Sequence, residues 1–581
     1  MELATGFESI SRDGWRALAV EVLRKSGIET EAPEEALSTA TYDGVTISPL
    51  YDLDDLPGDP GLPGEAPYVR GARGTPGWEV RQRHAVADPE AVLADLENGV
   101  TSLWLVVGDG AIPVDALGAV LKDVYLDLAP VVLEAGDQAR EAAEVLFGRG
   151  GAVLGNLGAS AVTGPGLELA RRCVDGFPGL RAVTVDATPY HDAGGSDAEE
   201  LGCSIAQGVA ELRALTGGGL SVEQALGQIE FRYAATADQF ATIAKLRAAR
   251  RLWARVAEVC GAAAGGAAGQ GGQRQHAVTS SAMMTARDPW VNMLRTTLAC
   301  FAAGVGGAAA VTVQPFDACL GLPDAFSRRI ARNTQALLLE ESGLGRVIDP
   351  AGGSWYVERR TADLAERAWA WFQEIEAAGG IARAAGLVSD RIAATRARRA
   401  DDVAHRRLPI TGVSEFPNVH EKPVRPPTPA QAAPETGGLP RVRYAEEFEA
   451  LRDLADAQPE RPTVFLATIG PVAAHTARAA FAANLFQAGG LDTETAGPGA
   501  DPEQIATAFA MSGASTACLC STDKLYAQHA AAVATALRKA GARKVWLAGK
   551  GEYEGVDGNL FAGCDALAVL RQTFDDLEVT R

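Results

Sequence analysis

From Trp78 onward the chain alternates short β-prone apolar runs with stretches whose apolar residues recur at helical spacing. The runs fall at 78–83, 101–107, 129–133, 152–157, 181–186, 229–234, 275–280 and 309–314. Helical patterns separate them at 113–122, 137–148, 197–215, 237–260 and 288–303, and the last run leads into another at 322–341. Eight strands alternating with helices are what a closed (β/α)8 barrel requires, because parallel strands need crossover connections. An open doubly wound sheet is the structural alternative, since the first and third runs are the weakest.

After the barrel pattern, residues 330–358 continue a helix through Ile330, Thr334, Leu337 and Leu338 to a stop at Gly343. Asp349-Pro350 and Gly352-Gly353 then force a turn, and Trp355-Tyr356 reads as a docking segment. Helical character resumes over 360–407, and the proline-rich stretch 408–440 reads as an extended linker. Beyond it, strands at 463–468, 514–520 and 544–548 alternate with helices at 476–488, 502–511, 524–540 and 567–576, a flavodoxin-like order. The divisions are an N-terminal arm at 1–45, a barrel at 46–400, a linker at 401–460 and a small α/β domain at 461–581. Within the arm, Trp15 to Leu23 is amphipathic, and one helix outside a core is marginal alone, so it is expected to lie on another surface.

Composition narrows the partners. With 581 residues, a hydrophobic share of 47% and a charged share of 22%, the chain reads as a soluble multidomain protein. A formal charge of -21 argues against nucleic acid and anionic membranes, both of which require a basic face. The start of the chain shows no basic segment followed by an apolar run, so a cytoplasmic location is expected. Eight scattered cysteines without CxxC spacing read as reduced, buried small residues.

Candidate chemistry is sparse. The fifth strand run ends in Asp186-Ala187-Thr188-Pro189-Tyr190-His191-Asp192, which would place a phenol and an imidazole at a barrel mouth, where such a pair could orient a carbonyl oxygen. A hydrogen-bonded structural histidine is the competing interpretation. The other histidines lack metal-ligand spacing, so no zinc or iron site is expected. Glycine-rich 261–272 has no Lys-Ser/Thr ending and reads as a flexible loop, not a phosphate loop. In the small domain, 469–475 follows the first strand, where a flavodoxin-like fold places its ligand, but its small apolar residues suggest packing.

The segment 332–358, RNTQALLLEESGLGRVIDPAGGSWYVE, resembles the barrel-closing segment of adenosylcobalamin-dependent acyl-CoA mutases, methylmalonyl-CoA mutase above all. Segments 67–82, 240–253, 276–281 and 410–418 extend the resemblance over essentially the whole chain. It implies a (β/α)8 TIM barrel followed by a flavodoxin-like domain of cobalamin-binding type. Against the family pattern, Arg83 stands where catalytic chains carry a tyrosine against substrate and corrin, and 156–179 lacks the Arg-Asn-Thr or Arg-Gly-Thr that grips the substrate carboxylate. Tyr190 and His191 survive as vestigial catalytic candidates.

In the small domain the family's Asp-x-His-x-x-Gly becomes Ala473, His475 and Arg478; its Ser-x-Leu becomes Cys520-Ser521-Thr522, and its Gly-Gly becomes Gly549-Lys550. Lys550 in place of a glycine is expected to obstruct the channel for the nucleotide tail. The resemblance therefore implies a small, non-catalytic subunit with no catalytic, cofactor-binding or metal residues of its own. Adenosylcobalamin and acyl-CoA would sit on a large catalytic subunit, contacted by the 1–45 arm in a heterodimer. An active mutase of altered specificity and a free-standing chaperone for a cobalamin enzyme are the alternatives.

Overall fold

In a computed structural model, residues 10–150, 152–262, 271–426, 428 and 437–579 are described. Most of the glycine-rich loop and part of the proline-rich stretch lie outside them. Eight parallel strands close into a barrel: β1 Glu79–His84, β2 Ser102–Val106, β3 Val131–Glu134, β4 Gly155–Ala159, β5 Leu180–Asp186, β6 Ile229–Ala235, β7 Arg274–Thr279 and β8 Ala310–Thr312. Strand β8 pairs back onto β1 through Ala310 and Val311, so the barrel, not the open sheet, is the architecture. Outward-facing Val80, Leu103, Leu105, Val131, Leu133, Val183, Val185 and Phe231 join the surrounding helices in one large apolar core. Trp104, Val132 and Val278 form a separate small cluster on the inner face.

The barrel is closed by the stretch after β8. Helix Ala325–Ala336 widens into a π turn at Leu337–Glu341 and ends at left-handed Gly343. Asp349 is buried and accepts from Arg70 Nε at 3.1 Å and from Arg247, whose other nitrogen reaches Glu358. A Cβ on Gly352 would fall 2.3 Å from Asp349 Oδ2, so only glycine permits this clasp. The expected docking segment is instead the first turn of a helix, Trp355–Ala377, because Ser354 accepts from Val357 N as its N-cap. Tyr356 packs against Tyr51 and Phe240. The helical run 360–407 is thus the remainder of this helix plus a second one, Ala385–Ala404.

The proline-rich segment carries more structure than a linker. Ile410 and Val413 are buried in a core shared with the small domain, and helix α1, Glu446–Asp456, falls within 401–460. Residues 441–444 cross the barrel mouth, where Val442 N donates to Asp192 O and Tyr444 N to Ala282 O, each at 2.9 Å. Glu449 of α1 accepts from Ala286 N at 2.6 Å and fixes the loop after β7.

The small domain has five parallel strands, β9 Thr463–Thr468, β10 Asp492–Thr495, β11 Thr516–Cys520, β12 Lys544–Ala548 and β13 Gly558–Leu560, in the order β10-β9-β11-β12-β13. That is the flavodoxin-like order, with apolar clusters on both sheet faces. Strands β10 and β13 carry too little apolar pattern to read from sequence. Helix α2, Val472–Ala488, begins four residues earlier than its periodicity suggests.

Candidate functional site

In parallel-strand barrels the chemistry collects at the C-terminal strand ends, and inward positions alternate along each strand. Here those positions are charged. At the lower level Arg81 is bonded to Glu230 and Glu79 at 2.9 Å each and to Ser102 Oγ at 2.9 Å, and Arg274 reaches both carboxylates. Burial alone would raise the Glu230 pKa, but Arg81, Arg274 and Arg181 hold it down to about 2. One level up, Arg232 lies 4.0 Å over the Trp104 ring and bonds Asp186 Oδ2 at 2.8 Å, with Glu134 3.4 Å away. Arg83 lies 4.9 Å from the same ring and 3.6 Å from Glu134. His276 meets Trp104 edge-on and shares a 2.8 Å hydrogen bond with Thr312; burial and nearby Arg81 and Arg232 keep it neutral.

Above this layer is a cavity of about 520 Å³, lined by four arginines (Arg83, Arg232, Arg328, Arg441) and four carboxylates (Asp88, Glu134, Asp186, Asp192). Its charges therefore balance among themselves. Arg83, at the position where a catalytic tyrosine was expected, puts a guanidinium into a stack and an ion pair. Within 156–179, Arg171 and Arg172 lie on the outer helix Gly166–Gly176 and bond Gly218 O and Glu144, away from the mouth.

Tyr190 and His191 lie on a short helix, Thr188–Asp192, and neither lines the cavity. Tyr190 packs among apolar residues, where burial raises its pKa. His191 is buried and 2.6 Å from Ser280 Oγ, with Glu200 3.9 Å away. Lys245 bonds Glu200 at 2.7 Å and Asp197 at 2.9 Å in the same pocket. Burial, then Lys245 and Arg399 against the opposing pull of Asp197, lowers the His191 pKa to about 3. The imidazole is a neutral hydrogen-bonding group behind the mouth wall, not an acid or base facing it.

At the C-terminal edge of the small sheet the ligand crevice of such a fold opens beside the first strand. Ser521 Oγ donates across it to Ile469 O at 2.6 Å, and Gly470 and Gly499 pair as an antiparallel bridge. Tyr526 fills the space under the loops: its hydroxyl reaches Leu519 O at 3.0 Å and Ala548 O at 2.8 Å and accepts from Ser521 N at 2.8 Å. Arg478 lies 5.1 Å over the Tyr526 ring and bonds Asp523 at 2.6 Å, and a Cβ on Gly549 would fall 2.8 Å from its Nη1.

His475 sits inside helix α2, is 9% exposed, and has no hydrogen-bond partner at either ring nitrogen among the described residues. Ala473 is exposed and offers no carboxylate to orient it. These residues do not fit a cobalamin: the imidazole is turned inward and the crevice is filled. The obstruction expected from Lys550 is not there. Its ammonium is exposed, 4.4 Å over Phe561, and Tyr526 and Arg478 fill the space instead.

Arg232, Glu134, Trp104 and Tyr526 were missed by motif reading. The barrel residues did leave a signal, since Glu79-x-Arg81-x-Arg83 and Glu230-x-Arg232 put charge at alternate positions of a strand, in the second case opposite Ile229, Phe231 and Tyr233. Tyr526 left none. Among the described residues no cluster could hold a metal ion, and no helix is long and apolar enough to cross a membrane.

The family model described as methylmalonyl-CoA mutase matches residues 167–462. A Streptomyces virginiae protein named methylmalonyl-CoA mutase small subunit is 58% identical over 100% of this chain and 98% of its own length. A protein of the same name from Propionibacterium freudenreichii subsp. shermanii is 39% identical over 100% and 97%. A Cereibacter sphaeroides protein named methylmalonyl-CoA mutase is 29% identical over 77% of this chain and 69% of its own.

Proposed function

The chain belongs to the methylmalonyl-CoA mutase family, and from that premise we propose that it is the non-catalytic small subunit of a heterodimeric methylmalonyl-CoA mutase. The assembled isomerase interconverts methylmalonyl-CoA and succinyl-CoA. In this reading adenosylcobalamin and the acyl-CoA are held by the large subunit, and this chain supplies neither a cobalt ligand nor a substrate-facing acid or base. One observation carries the reading: at both places where the family's chemistry would lie the chain's own side chains are engaged with one another, Arg83 and Arg232 over Trp104 beneath the barrel cavity, Tyr526 and Arg478 inside the small-domain crevice.

What remains for the chain to contribute is surface. The arm supports this role unevenly along its length. Its later part is held by its own barrel, where Tyr42 donates to Asp402 at 2.7 Å and Asp43 accepts from Ala198 N at 2.7 Å. The first helix, Arg12–Lys25, buries only Leu23 and leaves Leu18 and Val22, one turn apart, 56% and 62% exposed. Covering such a Leu or Val is worth roughly 1.5–3 kcal/mol each, enough to anchor an arm on a neighbouring subunit. The eight free cysteines fit the reducing cytoplasm in which the assembly would work.

Co-expression with a large mutase subunit tests the assignment. An equimolar complex stable through gel filtration is expected, and Leu18→Asp with Val22→Asp weakens it while leaving the melting temperature of the free chain unchanged. Failure to form any complex overturns the subunit reading, and an unchanged affinity in the double variant overturns the role of the arm.

A further inference from the structure

The helix after β7, Val291–Val305, differs from the other helices around the barrel. They expose charge, as at Arg140, Glu168, Arg213, Arg251 and Arg329. Over 290–305 the only charged residue is Arg295, and its guanidinium is engaged by Asn292 Oδ1 at 2.7 Å and Thr411 O at 2.6 Å. What this helix shows to solvent is Trp290, Leu294 and Leu298, one turn apart, with Leu294 67% exposed. A helix that is apolar on its outer side as well as its inner side is suited to being covered on both.

The apolar row continues beyond the helix at both ends. Trp290 stacks on buried Phe316 at 4.8 Å, and Phe316 meets exposed Phe326 of the next helix edge-on. In the other direction Phe301 and Ala302 share an apolar cluster with Ala351 and Val357, beside exposed Trp355. Tyr356 packs on Tyr51 and Phe240, and the turn Leu53–Asp55 packs on the same helix with Leu53 exposed. Arg12 of the first arm helix bonds Asp52 at 3.0 Å, so the row leads to the helix that exposes Leu18 and Val22.

Single exposed apolar residues need no explanation, but a connected row of two tryptophans, a phenylalanine and three leucines does. Rich in aromatics and free of charge, it has the composition of an interface core. A second copy of this chain is a poor occupant, because a formal charge of -21 on each copy would oppose the pairing.

We propose that this row, centred on Leu294, is a second docking face for the large mutase subunit, continuous with the arm and met by an apolar, uncharged patch of that subunit. The inference rests on the small-subunit reading and adds a barrel face to it.

Leu294→Glu with Leu298→Glu in the full chain, titrated against a large mutase subunit beside the unaltered chain, provides the test. The unaltered chain is expected to form an equimolar complex. The double variant should bind about a hundredfold more weakly, about tenfold for each leucine taken out of the contact. Both positions are exposed, so the melting temperature of the free variant should hold; if it falls, Leu294→Glu alone decides. An unchanged affinity in the variant overturns this proposal and leaves the subunit reading standing, whereas no complex with the unaltered chain overturns both. Sedimentation of the chain alone covers the remaining case: a dimer that the double variant dissociates would make a second copy the occupant and overturn the proposal.

Discussion

The barrel mouth and the crest of the small sheet are two sites of the kind that hold ligands, and they differ: the mouth keeps a cavity of about 520 Å³ whose charged walls neutralise one another, whereas the crest is filled. In the barrel, charge closes on charge: Arg81, Arg274, Glu79 and Glu230 below, then Arg83, Arg232, Glu134 and Asp186 around Trp104. In the small domain one phenol and one guanidinium occupy the space, with the loops tied directly by Ser521. The first closure is a mutually dependent network, so it is expensive to break at any member. The second combines the neutral hydrogen bonds of Tyr526 and Ser521 with one partly exposed ion pair, Arg478 to Asp523, contacts that can be loosened one at a time.

The largest expected effect tests that contrast in the barrel. Arg81→Met leaves Glu230 and Glu79 to Arg274 and the more distant Arg181, and breaking such a buried group should cost about 3–5 kcal/mol in urea unfolding. A loss below about 1 kcal/mol would show that the layer is not the interdependent unit described. In the small domain, Tyr526→Phe removes one hydroxyl from Leu519 O, Ala548 O and Ser521 N, and about 1–3 kcal/mol should be lost. If Tyr526→Phe proved costlier than Arg81→Met, the ranking of the two closures would be reversed.

The buried pocket behind the mouth adds a pH signature. The His191 pKa is lowered to about 3, so as pH falls from 6.5 towards 3 the unfolded chain takes up a proton that the folded chain refuses. That contribution to stability is complete above pH 6.5 and is lost on the way down. His191→Phe abolishes it, so the stability gap between the two chains should narrow as pH falls through this window. A constant gap would mean that His191 titrates normally and faces solvent. The smallest effect is expected at His475, whose ring nitrogens have no partners among the described residues: His475→Leu should stabilise the chain by about 1 kcal/mol. Destabilisation instead would point to a hydrogen-bonding role for the ring.

Both folds were legible because each is built from a repeating unit whose pattern is local: β-prone runs and amphipathic helices in the barrel, three of the five strands in the small sheet. The polar DTET of β10 and the three-residue GNL of β13 carry no such pattern and are held by their neighbours in the sheet. The degenerate positions could be read one by one, as at Arg83 and Ala473. What they were replaced by could not. Arg232 comes from β6 and Glu134 from β3, 98 residues apart, and meet only when the barrel closes. Lys550 illustrates the same limit, since its long side chain turns to Phe561 and leaves the crevice to Tyr526. Of the aromatic pair 355–356 read as a docking segment, Tyr356 does pack on Tyr51 and Phe240, and what stayed hidden is that Ser354 caps a helix beginning there.

The central proposal is that the family's cofactor is held by the large subunit and not by this chain. The direct measurement is gel filtration of the purified chain after incubation with adenosylcobalamin, with the corrinoid absorption spectrum read across the protein peak, beside the same run on its complex with a large mutase subunit. A bare protein peak for the chain alone, and one corrinoid per heterodimer in the complex, is the predicted result. A corrinoid spectrum that stays with the isolated chain would contradict the account.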